Sequence, residues 1–264
     1  MKNKQKYCTV GALRIRRILI ITVITAIALA AVIYFSVFCR VKLVTVENNE
    51  KVSDPIILTS LDIRPYRHLY SISTGKTEKE ILALSPYVKS VRLERNLPSE
   101  LIIILEEYTA RYYIVEDDLC YLVSDTLFVL EEIPLYEVDT TELAYLKIPE
   151  IDKTKDRFGI GKTIRFTDTE NTAYVSDLLK CVSESPLSDS LSALALDQKA
   201  NITAEIDGKY RVKLGNSKDM TEKLELCRAA VLYLQENMSG VRGTLHAWST
   251  EKVTFEITGV AENP

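Results

Sequence analysis

The sequence predicts an α+β chain carried on a single N-terminal transmembrane helix. A small β-α-α-β-β domain follows the helix, then a larger, mostly antiparallel β-domain with two helices. Three observations predict it. Ile18–Phe38 is an apolar run of 21 residues without charge or proline. Residues 41–108 read strand, helix, helix, strand, strand. Residues 109–260 then read as short alternating strands interrupted by two stretches of helical period.

At ~1.5 Å rise per residue, the apolar run spans a hydrocarbon core of roughly 30 Å. The run passes through Ala28-Leu29-Ala30, which resembles a small-residue cleavage site, but it continues through Val32, Ile33, Tyr34 and Phe35. That length fits a retained anchor better than a signal peptide. Lys2, Lys4, Lys6, Arg14, Arg16 and Arg17 precede the run, and only Arg40 and Lys42 follow closely. This bias predicts a cytoplasmic basic tail over residues 1–17 and an extracytoplasmic bulk. Beyond Lys42 stand 25 basic and 37 acidic residues, a net of −12. Such a surface argues against nucleic acid or anionic lipid as its main partner.

In the first domain, Val41–Val46 alternates β-branched residues and forms a strand. Ser53-Asp54-Pro55 opens a short helix to Leu61, because proline suits a first turn. His68–Ile72 reads as an extended link. Thr77-x-x-Glu80 has capping-box spacing before Ile81, Leu82 and Leu84, and Pro86 ends that second helix. Val88–Arg95 alternates as a half-buried strand. Asn96–Ser99 turns the chain into the aliphatic strand Leu101–Leu105.

In the second domain, strands are expected at Arg111–Glu116, Leu119–Val123, Leu127–Leu130, Lys162–Phe166, Leu191–Asp197, Ile202–Ile206 and Lys209–Leu214. A helix over 170–182 places Tyr174, Leu178 and Cys181 on one face. Another over 220–235 does the same for Leu224, Cys227, Val231 and Leu234. The chain closes with Gly243–Trp248, a turn, and Lys252–Thr258. In that last strand Val253, Phe255 and Ile257 face one way, toward the core, and Lys252, Thr254 and Glu256 the other.

Catalytic chemistry is hard to find. The five cysteines are scattered without C-x-x-C spacing, so no zinc site or disulfide framework is expected. The only histidines, His68 and His246, read as structural residues. Gly159-Ile160-Gly161-Lys162-Thr163 ends like a phosphate-binding loop, but Asp156 stands where its first glycine belongs. A glycine turn before a strand is expected instead. Asp117-Asp118 and Glu131-Glu132 read as solvated loop residues. The expectation is a non-enzyme with no metal, cofactor or catalytic residues.

The string Tyr87-Val88-x-x-Val91-x-Leu93-x-Arg95-x-x-Pro98-x-x-Leu101-x-Ile103-x-Leu105-x-Glu107 resembles the end of the polypeptide-transport-associated (POTRA) domain of the bacterial division proteins FtsQ and DivIB. Ile148-Pro149-Glu150-Ile151, then Tyr210–Gly215 leading to Lys223-Leu224, then the closing hairpin 244–257, follow in that family's order. Tyr108 and Ala110 depart from it, standing where the family has arginine and proline. The resemblance implies a division scaffold in the cytoplasmic (inner) membrane, enriched at the septum, with its bulk in the periplasmic or extracytoplasmic space. Its β-domain would bind the FtsB/DivIC-like and FtsL-like proteins of the division complex (divisome), and help regulate septal peptidoglycan synthesis.

The expected partner-binding residues are Trp248, Lys252, Val253, Thr254, Phe255, Glu256 and Ile257, on a strand open to β-augmentation. A proline at Thr254 is expected to remove a donor and abolish binding. Two rival readings are a membrane-tethered POTRA assembly or secretion protein and a type II-anchored extracytoplasmic enzyme. The second would need a metal motif, a sugar-nucleotide loop or a histidine-based site, and the sequence shows no such motif.

Overall fold

The computed structural model describes residues 10–61, 66–139, 142–154, 158–238 and 240–260. The chain divides into two compact units, Met1–Glu107 and Tyr108–Pro264.

The first unit begins with helix α1 (Val10–Phe38), of which Ile15–Phe38 is long and apolar enough to cross a bilayer. From Ile15 to Phe38 its side chains are exposed all round, as a lipid-facing helix requires. The Thr22 and Thr25 hydroxyls donate to the Ile18 and Ile21 carbonyls at 2.9 and 2.8 Å, so these polar groups are satisfied within the helix.

Beyond α1 lie β1 (Leu43–Glu47), α2 (Asp54–Ser60), α3 (Thr74–Leu82), β2 (Val88–Asn96) and β3 (Glu100–Glu107). The sheet order is β1-β3-β2, with β1 parallel and β2 antiparallel to the central β3. The aliphatic run explains the central place of β3. Leu101, Ile103 and Leu105 are buried with Ile57 of α2 and Ile81 of α3, while Ile102 and Ile104 are half-buried on the other face. At the end of β3, the Glu107 carboxylate accepts the backbone N–H groups of Glu50, Lys51 and Val52 at 2.7–3.0 Å. It thereby closes the loop before α2.

Two local expectations fail in this unit. Thr77 does not cap α3. The helix starts a turn earlier, at Thr74, and Thr77 is buried one turn before Ile81 on the same stripe. Residues Leu69–Ser71 form a 3-10 turn rather than an extended link, with His68 Nδ1 accepting the Tyr70 N–H.

The second unit is built on a nine-stranded mixed sheet. Its strands are β4 (Tyr112–Glu116), β5 (Leu119–Val123), β6 (Val129–Ile133), β7 (Ala144–Lys147), β8 (Leu191–Ala195), β9 (Ile202–Ile206), β10 (Tyr210–Gly215), β11 (Val241–His246) and β12 (Thr254–Val260). They lie in the order β12-β11-β10-β9-β8-β7-β4-β5-β6. Five neighbouring pairs are antiparallel and three parallel, namely β4–β7, β7–β8 and β10–β11.

Helices α4 (Glu170–Glu184) and α5 (Met220–Asn237) supply the rest of the core. On α5 the expected stripe of Leu224, Cys227, Val231 and Leu234 is buried. On α4 the buried stripe is Val175, Leu178, Leu179 and Val182, with Tyr174 and Cys181 half-buried at its rim. Cys227 is fully buried, and burial pushes its thiol up to about 12.

Lys162–Phe166 is no ladder strand. It contributes two isolated bridges, Phe128↔Thr163 and Ile151↔Phe166, to different partners. The segment before it forms the expected glycine turn, with Gly159 at φ 137° and Gly161 at φ 76°. Asp156 lies outside the described residues. Glu131 and Glu132 sit on β6, not in a loop.

Candidate partner-binding edge

Strand β12 ends the nine-stranded sheet, so one side of its backbone meets β11 and the other has no strand beside it among the described residues. Which residues point outward follows from the neighbouring bonds. The Gly243 and Ala247 amides donate to the Lys209 and Lys213 carbonyls beside them. Odd-numbered residues of β11 therefore direct their backbone toward β10, and even-numbered ones toward β12. Thr244 and His246 face Glu256 and Thr254. Those two β12 residues accordingly exchange their backbone hydrogen bonds with β11. Phe255 and Ile257, of opposite parity, present N–H and C=O at the open edge.

This assignment corrects the role expected of Thr254. Its side chain is exposed, but its amide belongs to the β11–β12 ladder, so proline there would break the sheet rather than block a guest strand. The ladder also begins at Thr254, two residues later than expected, which leaves Lys252 and Val253 in the irregular link before it.

The side chains divide as follows. Val253 and Phe255 are half-buried against the core, and the Phe255 ring meets Tyr210 edge-on at 6.3 Å. Phe255 lies over Gly243, where a Cβ would collide with its ring and with the Glu256 carbonyl; glycine is therefore demanded by close approach. Ile257 departs from the core expectation. It is 53% exposed, whereas Phe255, two residues earlier, packs against the core. Lys252, Thr254 and Glu256 are exposed.

Trp248 stands at the end of β11, 64% exposed. Its ring meets His246 edge-on at 5.0 Å, and its Cδ1 lies 3.4 Å from where Gly215 would carry a Cβ. His246 Nε2 contacts the Glu256 carboxylate at 3.3 Å, linking the tryptophan corner to the edge strand. Beneath this corner Lys223 is 2% exposed. Its Nζ donates to the Leu214 and Asn216 carbonyls and to Asn216 Oδ1 at 3.0–3.2 Å. Burial draws its pKa below the ordinary 10.5, yet three acceptors surround the ammonium group and fix the turn that supports Gly215. The sequence shows Lys223 only as part of the family pattern; its role as a buried staple needs the three-dimensional turn.

The sheet face opposite α4 and α5 holds a shallow groove of about 470 Å³, lined among others by Tyr145, Lys147, Thr203, Arg211 and Lys213, with Trp248 at one end. Tyr113 and Tyr145 pack at 5.4 Å on the same face. The groove is open and carries no constellation of nucleophile and base. No group of three or more metal-ligating side chains occurs among the described residues. What this edge offers is backbone donors and acceptors, one exposed aliphatic side chain and one exposed indole.

Comparison with known proteins gives a concordant result. Residues 39–108 match the family described as POTRA domain, FtsQ-type. The chain is 21% identical over 213 residues to the cell division protein DivIB of Clostridium tetani, covering 79% of this chain and 76% of that protein. It is 21% identical over 211 residues to DivIB of Clostridium botulinum, covering 80% and 79%. To DivIB of Bacillus subtilis it is 30% identical over 117 residues, 44% of each chain. The FtsQ-type domain placed directly after an apolar N-terminal helix, and the similarity to DivIB proteins over about four-fifths of the chain, together support the FtsQ/DivIB family of bacterial cell division proteins.

Proposed function

We propose that the chain is a bitopic scaffold of the bacterial division complex, and that it works by lending the edge of its large sheet to a partner strand. The partner is an FtsB/DivIC-like protein, accompanied by an FtsL-like one. The observation that carries this reading is the unpaired edge at Phe255 and Ile257 beside the exposed Trp248. Backbone pairing supplies affinity, and alternate side chains supply selectivity. The basic residues up to Arg17 support a cytoplasmic N-terminus, with the chain beyond α1 on the outer side of the membrane. The domain boundaries that serve this arrangement are a tail over 1–17, an anchor over 18–38, a POTRA domain over 41–108 and a β-domain over 109–260. In this role the protein recruits and regulates septal wall synthesis at the division site without performing chemistry itself.

Depletion in the source bacterium, followed by microscopy, separates this reading from a POTRA protein of assembly or secretion. Division scaffolding predicts filaments with blocked septa and intact export. Normal septation with defective export would contradict it.

A further inference from the structure

The end of α1 and the first domain share more than a chain connection. Counting from the basic edge at Arg16 and Arg17, Phe35 lies ~28 Å along the helix, which is the outer rim of a roughly 30 Å hydrocarbon core. Tyr34, Phe35 and Phe38 are exposed there, as the aromatic belt at a membrane–water boundary requires.

The 3-10 turn after His68 is bonded to this same level. His68 Nδ1 accepts the Tyr70 N–H, so Nε2 carries the ring proton and donates to the Phe35 carbonyl at 3.0 Å. The Leu69 amide donates to the Cys39 carbonyl at 2.8 Å. The Tyr66 amide donates to Val41, and the Val41 amide to Arg67, at 3.1 and 2.9 Å. Leu69 and Cys39 are fully buried beneath these bonds. From the sheet side, the Arg95 guanidinium of β2 donates to the Leu69 and Ile72 carbonyls and lies 5.6 Å from the Tyr70 ring centroid. The Tyr70 ring is thereby held 6.4 Å from the Phe35 ring, and it remains 53% exposed. Tyr66, 66% exposed, adopts a φ of 66° that tyrosine rarely takes.

We infer that Tyr66 and the turn His68–Ser71 form a foot that rests in the headgroup region of the bilayer leaflet from which α1 emerges. The occupant follows from continuity with the spanning helix. If Phe35 is at the hydrocarbon rim, a ring bonded to its level meets lipid. The two tyrosines present amphipathic rings, and at the same level stand the exposed Arg40 and Arg67, whose guanidinium groups donate to the Ser36 carbonyl and to Ser71. The consequence is mechanical. The first domain is seated on the membrane at a fixed height instead of hanging from a flexible tether.

The inference rests on α1 spanning the bilayer, and the test keeps the two apart. Trp248→Phe removes the only native tryptophan, after which Tyr70→Trp and Ile27→Trp are made separately in the full chain. Each is placed in nanodiscs of ordinary or acyl-brominated phospholipid. Both tryptophans should lose emission in the brominated discs, and that at position 70 should resist aqueous iodide. Quenching at position 27 with none at position 70, which iodide quenches freely, would overturn the foot while leaving the span intact. Loss of quenching at both positions would overturn the span and the foot with it.

Discussion

Proline at position 257 should abolish partner binding while leaving the chain folded. The Ile257 amide points out of the sheet, its side chain is exposed, and Glu256 before it is already extended, as a residue preceding proline must be. Ile257→Pro therefore removes no bond of the free protein, but it removes a donor from the guest strand and puts the ring where that strand must lie. A loss of at least ~2 kcal/mol, roughly thirtyfold in affinity, is expected. Thr254→Pro behaves oppositely. It deletes a rung to His246 and leaves that carbonyl unpaired at the sheet end, so it should lower stability by about 1–3 kcal/mol. Titration with the purified outer segment of the FtsB/DivIC-like partner, beside thermal unfolding of each variant, reads both. Full affinity in folded Ile257→Pro would remove the edge as the site.

Trp248→Ala should produce the second large effect, again on binding rather than folding. An indole that is 64% exposed contributes little to the core, so the stability change should stay within ~0.5 kcal/mol. At an interface the same ring is a typical anchor, and its truncation should cost at least ~2 kcal/mol, roughly thirtyfold in affinity. The same titration and melting curve check it. A tryptophan that merely lids the core would show the reverse pattern, a lower melting temperature with unaltered affinity.

The contrast between positions 254 and 257 shows how far the sequence can be read. Alternation of Val253, Phe255 and Ile257 with Lys252, Thr254 and Glu256 reveals two faces of a strand, because side chains obey a period of two. It cannot reveal which backbone groups are already paired. That depends on the register of β12 against β11 and of β11 against β10, where paired residues such as Tyr210 and Gly243 lie 33 apart in sequence. Nor does alternation say how far along the strand the core reaches, and Ile257 is exposed although Phe255 packs against the core.

The same limit explains the other departures. The strand β7, Ala144–Lys147, is four residues long and sits between two parallel neighbours, so it has neither length nor a hairpin turn to announce it. Lys162–Phe166 has a strand's composition, but its bridges go to separate segments. By contrast α5, β3 and the apolar α1 are legible because each repeats one strong physical pattern over its whole length. Lys223 lies at the far end of that scale. A lysine in a helix reads as a solvated side chain until the turn at Leu214–Asn216 closes around it.

The central claim is that a partner strand pairs with the outward backbone of β12. Residue-resolved amide hydrogen exchange of the full chain in nanodiscs, with and without the partner's outer segment, measures this directly. The account predicts that the Phe255 and Ile257 amides exchange fast alone and slowly in the complex, while Thr254 and Glu256, already bonded to β11, change little. A saturated complex in which Phe255 and Ile257 exchange as fast as in the free protein would contradict it.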